Sequence, residues 1–190
     1  MRIAIARGVS IVGHPVVLIS AAGLIAASTH GASAAQLRII GVTLLLLAVI
    51  VIGFTWWQVK AGRWAHVDAS ARTERSSLNA FLSTLLLVSA VLAWFVLRNL
   101  HLSVALALSA TLILIALALA RWLKMSLHVA FATFATTLLW PLSWGLAAGI
   151  LVTAVVAWSR LTLGRHVAAD VIAGFLLGAL AGIAHGVWLR

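Results

Sequence analysis

Apolar residues fill long uninterrupted runs along this chain, and polar residues are confined to short islands between them. The runs lack the alternating polarity of a membrane β-strand. A helix needs about 20 apolar residues to cross a bilayer. The pattern predicts a first helix from Met1 to Ser28 and a second from Leu37 to Val59. Phe81 to Leu97 and Leu102 to Ala120 read as a hairpin joined by Arg98-Asn-Leu-His101. As one helix, Val129 to Trp158 would be about 45 Å long at ~1.5 Å per residue, too long for the hydrocarbon core. It is expected to split at Pro141 into two shorter helices. A last helix runs from Val167 to about Trp188.

This gives an all-α, polytopic transmembrane bundle of seven helices, or six if the first is a cleaved leader. The first run is longer than the ~7–15 residues of a leader core, which favours a retained helix. Pro15 predicts a kink that frees His14 to face the interior. Gly174, Gly178 and Gly182 recur every four residues, a small-residue stripe for close helix packing. The longest polar island, Lys60 to Asn79, contains Asp68, placed to cap a short helix on the membrane surface.

Composition sharpens this picture. The 190 residues are 64% hydrophobic and 8% charged, which excludes a soluble domain and suits one integral-membrane domain over 1–190. With no cysteine, the chain has no disulfide, thiolate metal site or cysteine nucleophile. The formal net charge is +10. The basic residues sit in the connections, so the expected partners are anionic lipid head groups and a lipid phosphate substrate, not nucleic acid. Ten of the thirteen fall on the face that carries the N-terminus and the polar islands, against Arg38, Arg98 and Arg190 opposite. The positive-inside rule turns that face to the cytoplasm, as in a bacterial inner-membrane protein. The sequence sets no oligomeric state.

The chemistry concentrates in Ser159-Arg-Leu-Thr-Leu-Gly-Arg-His-Val-Ala-Ala-Asp170. Asp170 follows His166 by one helical turn, so the two should share a face. A carboxylate beside a histidine fixes its tautomer and stabilises the imidazolium. Arginine forks match phosphate oxygens two at a time. An acid inside an apolar helix marks a functional site by default. Arg165 reads as an interfacial anchor. A second island, Met125-Ser-Leu-His128, puts a hydroxyl and an imidazole at the mouth of a helix, where backbone N–H groups favour an anion. Three acids in the chain are too few for a magnesium cage or a two-metal centre, and no metal or cofactor is expected.

The Ser159–Asp170 stretch resembles the third motif of the type 2 phosphatidic acid phosphatase (PAP2) superfamily, S-R-x5-H-x3-D, at every fixed position. Ser126 and His128 match half of the second motif, P-S-G-H. The first, K-x6-R-P, keeps only a lysine, Lys60, and then reads Val67-Asp68; Arg72, Arg75 or Lys124 would take the arginine's role. The hairpin between the first and second islands also departs from the family pattern. The resemblance implies metal-free hydrolysis of a lipid phosphomonoester or diphosphate. Phosphatidate, phosphatidylglycerophosphate and polyprenyl phosphates are the candidate substrates. His166 would be the nucleophile, Asp170 its partner and His128 the general acid and base. Arg160, Ser126 and some of Lys60, Arg72, Arg75 and Lys124 would hold the phosphoryl oxygens. An inactive membrane scaffold and a lipid phosphotransferase on the same fold are the alternatives. A transporter would carry internal repeats, and none is found. The vanadium haloperoxidases of the superfamily are soluble, unlike this chain.

Overall fold

The computed structural model describes residues 1–65, 71–140 and 142–188. Among these the chain is helical throughout, with no strand. The helices are α1 (Arg2–Val12), α2 (Pro15–Thr29), α3 (Ala34–Lys60), α4 (Arg72–Phe95), α5 (Leu100–Leu119), α6 (Leu127–Leu138), α7 (Ser143–Thr162) and α8 (Ala168–Trp188). Five of them, α3, α4, α5, α7 and α8, are long and apolar enough to cross a bilayer. The pair α1–α2 makes a sixth span if the two are taken as one, bent by 50°. The chain is therefore a multi-pass, all-helical membrane protein.

The bend falls at His14-Pro15 and is a full break. Gly13 ends α1, and His14 takes the N-cap of α2 with its Nδ1 accepting from the Val16 N–H at 3.3 Å. Pro15 starts α2, where its missing N–H costs nothing. The split expected at Pro141 gives α6 and α7, although Pro141 itself lies outside the described residues. The two are unequal: α6 has 12 residues and α7 has 20.

Contacts group the residues into two compact units, Met1–Leu37 with Ala118–Arg190, and Arg38–Leu117. In the second unit, α4 starts at Arg72, well before the expected Phe81. The buried Glu74 accounts for this early start. Its carboxylate accepts from the N–H groups of Ala65 and Ala71, both at 2.9 Å, and sits favourably at the positive end of the helix. Asp68, the expected cap, lies outside the described residues. Phe54 of α3 stacks on Phe81 of α4 at 3.8 Å between ring centres. The hairpin turn passes through Arg98 in the left-handed region (φ 51°), and Asn99 Oδ1 accepts from Leu102 N at the head of α5. Ser103 Oγ donates to the Ala90 carbonyl oxygen at 2.8 Å, joining α4 and α5.

The first unit is built on α6. This short helix is almost wholly buried, and α2, α7 and α8 all pack on it, while α1 packs on α7. The glycine stripe of α8 makes the closest contact. A Cβ at Gly174 would sit 2.5 Å from the Ser126 carbonyl oxygen, one at Gly178 would meet that of Ala130, and one at Gly182 would meet Thr137. Gly149 gives α7 the same approach to Thr136, and the Thr136 and Thr153 hydroxyls lie 3.1 Å apart. With lipid tails as apolar as the helices, this close fit is what drives association.

Gly178→Ala is expected to destabilise the protein by about 2 kcal/mol or more through overpacking. Gly186→Ala, where a Cβ meets nothing within 4 Å, should be close to neutral. Thermal unfolding of both variants in detergent measures the difference.

Candidate active site

The chemical residues of the first unit come from three helix ends. The first end is the last turn of α7. It closes with Gly164 in the left-handed region (φ 62°); Gly164 N donates to Leu161 O and Arg165 N to Arg160 O. This paired closure is the Schellman turn that a C-terminal glycine permits. It leaves Arg165 exposed and Arg160 half-buried, one turn back. Ser159 is fully buried, and its hydroxyl donates to Val156 O in its own helix, a structural role.

The second end is the start of α8. His166 precedes the helix, and Asp170 is its third residue. The expected shared helix face therefore takes another form. The buried Asp170 carboxylate curls back over the helix start, where Oδ2 accepts from Val167 N at 3.2 Å and lies 3.3 Å from His166 Nδ1. The same Nδ1 lies 2.9 Å from the Lys124 carbonyl oxygen. A carbonyl only accepts, so Nδ1 carries the proton. In the neutral ring Nε2 then keeps its lone pair, which is the tautomer a nucleophile needs.

The third end is the start of α6. Ser126 occupies the N-cap position, but its side chain makes no capping bond. Its backbone N–H donates to Asp170 O at 3.1 Å, which fixes the starts of α6 and α8 together. His128 follows in the first turn, half-buried. Lys124 Nζ donates to Arg165 O at 2.8 Å and so pins the α7–α8 connection to the same place.

Two buried donors stand out. Among the described residues Ser126 Oγ and Arg160 Nε have no hydrogen-bond partner. Buried polar groups are nearly always bonded, so each such atom needs an explanation. Both belong to residues expected to bind phosphate, and an anionic oxygen suits both.

Arg160 lies close enough to His14, His128 and His166 for its charge to act on each. Burial, and then that charge, push the pKa of His166 below the usual 6.5. The hydrogen bonds to Lys124 O and Asp170 act in the opposite direction. The net effect keeps His166 neutral at physiological pH.

Of the expected residues, this unit brings together His166, Asp170, His128, Ser126, Arg160 and Lys124. Lys60, Arg72 and Arg75 belong to the second unit. There Lys60 Nζ lies 4.9 Å over the Trp56 ring, and Arg72 and Arg75 open α4. Two further polar residues join the centre from the broken first helix. Ser10 Oγ accepts from Arg160 Nη1 at 2.7 Å, and the His14 ring meets that of His128 edge-to-face at 5.6 Å. The sequence gives His14 only an interior-facing position and does not single out Ser10, because neither sits in a polar island. The His14-Pro15 break was the only signal. Among the described residues no three His, Asp or Glu side chains are arranged to hold a metal ion.

At neutral pH, 15N NMR of labelled His166 should show Nδ1 protonated and Nε2 bare, with a titration midpoint below 6.5. Asp170→Asn should lower that midpoint further, since the carboxylate helps to hold the proton on.

No family model, curated protein or solved structure matches this chain.

Proposed function

We propose that this protein is an integral-membrane lipid phosphatase of the PAP2 type, acting on a phosphomonoester or diphosphate whose phosphate sits at head-group level. The observation that carries this reading is the contact of His166 Nδ1 with the Lys124 carbonyl oxygen at 2.9 Å, from which the tautomer follows. Nδ1 is committed to Lys124 O and Asp170, Nε2 is left basic, and the unpartnered donors of Arg160 and Ser126 belong to the same unit. Phosphoryl transfer asks for in-line positioning and positive charge around the equatorial oxygens, and little else.

In this reading the His166 Nε2 lone pair forms a P–N bond as the P–O bond to the lipid breaks. His128 gives its proton to the departing alkoxide. Water then attacks phosphorus while His128 takes its proton. The P–N bond breaks, and inorganic phosphate leaves with both histidines restored. Burial, and then the positive field of Arg160, disfavour a cation at His128, so in this reading His128 acquires its proton together with the phosphate dianion. Asp170 holds the His166 ring and offsets the charge that grows on it. Arg160, Ser126 and Lys124 hold the phosphoryl oxygens. Lys60, Arg72 and Arg75 are proposed as further phosphate contacts from the sequence pattern alone. The bias of basic residues to one face supports a site open to the cytoplasm.

Protein purified in detergent should release phosphate from a panel of lipid phosphates in the presence of EDTA, and His166→Ala should release none. His128→Ala should lower turnover by roughly 10²–10⁴-fold, the usual weight of a positioned acid and base. Acid-labile 32P on the wild type with no phosphate release would mark a transferase instead. Equal release by wild type and His166→Ala would overturn the reading.

A further inference from the structure

The broken first helix contains none of the residues assigned to the reaction above, yet two of its side chains touch two that are. Ser10 is half-buried in the last turn of α1, and its hydroxyl takes one end of the Arg160 guanidinium through Nη1 at 2.7 Å. Among the described residues the buried Nε of the same guanidinium has no partner. A planar fork held at one end presents its other edge at a fixed angle, which suits an acceptor with two oxygens.

His14 is fixed in a different way. Its Nδ1 accepts from Val16 N, so in the neutral ring the proton lies on Nε2. That bond orients the ring, which meets the His128 ring edge-to-face. The break between the helices makes both contacts possible. Gly13 lies so close to α7 that a Cβ there would sit 2.6 Å from Val156 Cγ2. From this point α1 runs along α7, which carries Arg160, and α2 runs along α6, which carries His128.

We propose that Ser10 and His14 are positioning residues of this centre, Ser10 for the Arg160 fork and His14 for the His128 ring. The turnover part of the inference rests on the phosphatase reading, whereas the phosphate-binding part does not. Arginine is a long side chain with much rotamer entropy, and a tether in place before binding spares that loss when the anion arrives. Loss of Ser10 should therefore appear in affinity. Loss of His14 should appear in turnover, because His128 moves the proton.

The test uses the full chain in detergent with Ser10→Ala, Ser10→Thr, His14→Asn and His14→Ala. It measures KM and kcat on a lipid phosphate, inorganic phosphate binding by 31P NMR, and thermal unfolding. Ser10→Ala should weaken phosphate binding and raise KM about tenfold, with kcat little changed. Ser10→Thr, which keeps the hydroxyl, should restore both. Asparagine can still cap α2, so His14→Asn should keep the melting temperature while kcat falls about tenfold at unchanged KM. His14→Ala should lose stability as well.

Wild-type phosphate affinity in Ser10→Ala, or no recovery in Ser10→Thr, would overturn the role of Ser10. Wild-type kcat in His14→Asn would overturn that of His14. If the wild type hydrolyses nothing but Ser10→Ala still binds phosphate tenfold more weakly, the Ser10 tether stands and the phosphatase reading falls. If the wild type binds no phosphate, the tether falls too.

Discussion

The close approach of α8 to α6 is the contact on which the first unit depends. Three glycines in register clear the α8 side of the contact, so that its backbone lies against the backbone of Ser126 and Ala130 and the side chains of Thr133 and Thr137. The backbones meet, and Ser126 N can then donate to Asp170 O where the helices begin. This one bond sets the geometry of the centre. It puts Ser126 and His128 at the start of α6 beside the Asp170 carboxylate of α8 and the His166 ring just ahead of that helix, and leaves Lys124 O within reach of His166 Nδ1. In a membrane no hydrophobic force draws helices together, so small residues and polar bonds must do so. The packing surface and the chemical centre are thus two ends of one contact.

Charge is distributed unevenly around that contact. Asp170 is the only acid of the first unit, and its carboxylate is occupied by Val167 N and the His166 ring. Among the described residues Arg160 has no carboxylate partner, and it is held by a neutral hydroxyl. Even a half-buried cation in an apolar bundle is expensive without a counter-ion, and membrane proteins keep such groups where they have a use. The arrangement also favours a neutral His166. Its burial and the guanidinium field oppose a second positive charge, while two acceptors hold the proton on the far nitrogen. The anion binding and the nucleophilic role proposed for this centre would both draw on the same electrostatics.

The helices themselves were legible because hydrocarbon leaves the backbone one way to satisfy itself, by local hydrogen bonds within a helix. The hairpin through Arg98, the break at His14-Pro15 and the division near Pro141 all followed from runs and helix breakers. The glycine stripe of α8 announced a close partner without naming it. Misplaced ends had a local cause that hydropathy does not weigh. The start of α4 lies in polar residues because Glu74 reaches back to two backbone N–H groups, and His166 stands outside α8 because Asp170 does the same one turn into that helix.

By itself the sequence determined the membrane class and the pairing of His166 with Asp170, since each depends on residues close together in the chain; it led to seven expected helices, where the break at His14-Pro15 gives eight among the described residues. The tertiary structure decided which carbonyl fixes the histidine tautomer, which backbone the glycines meet and what holds Arg160. Lys124 O reaches His166 from 42 residues away, and Ser10 reaches Arg160 from 150. Contacts of that range depend on how rigid helices dock. Docking is set by the shape of whole surfaces, and periodicity along one segment does not encode it.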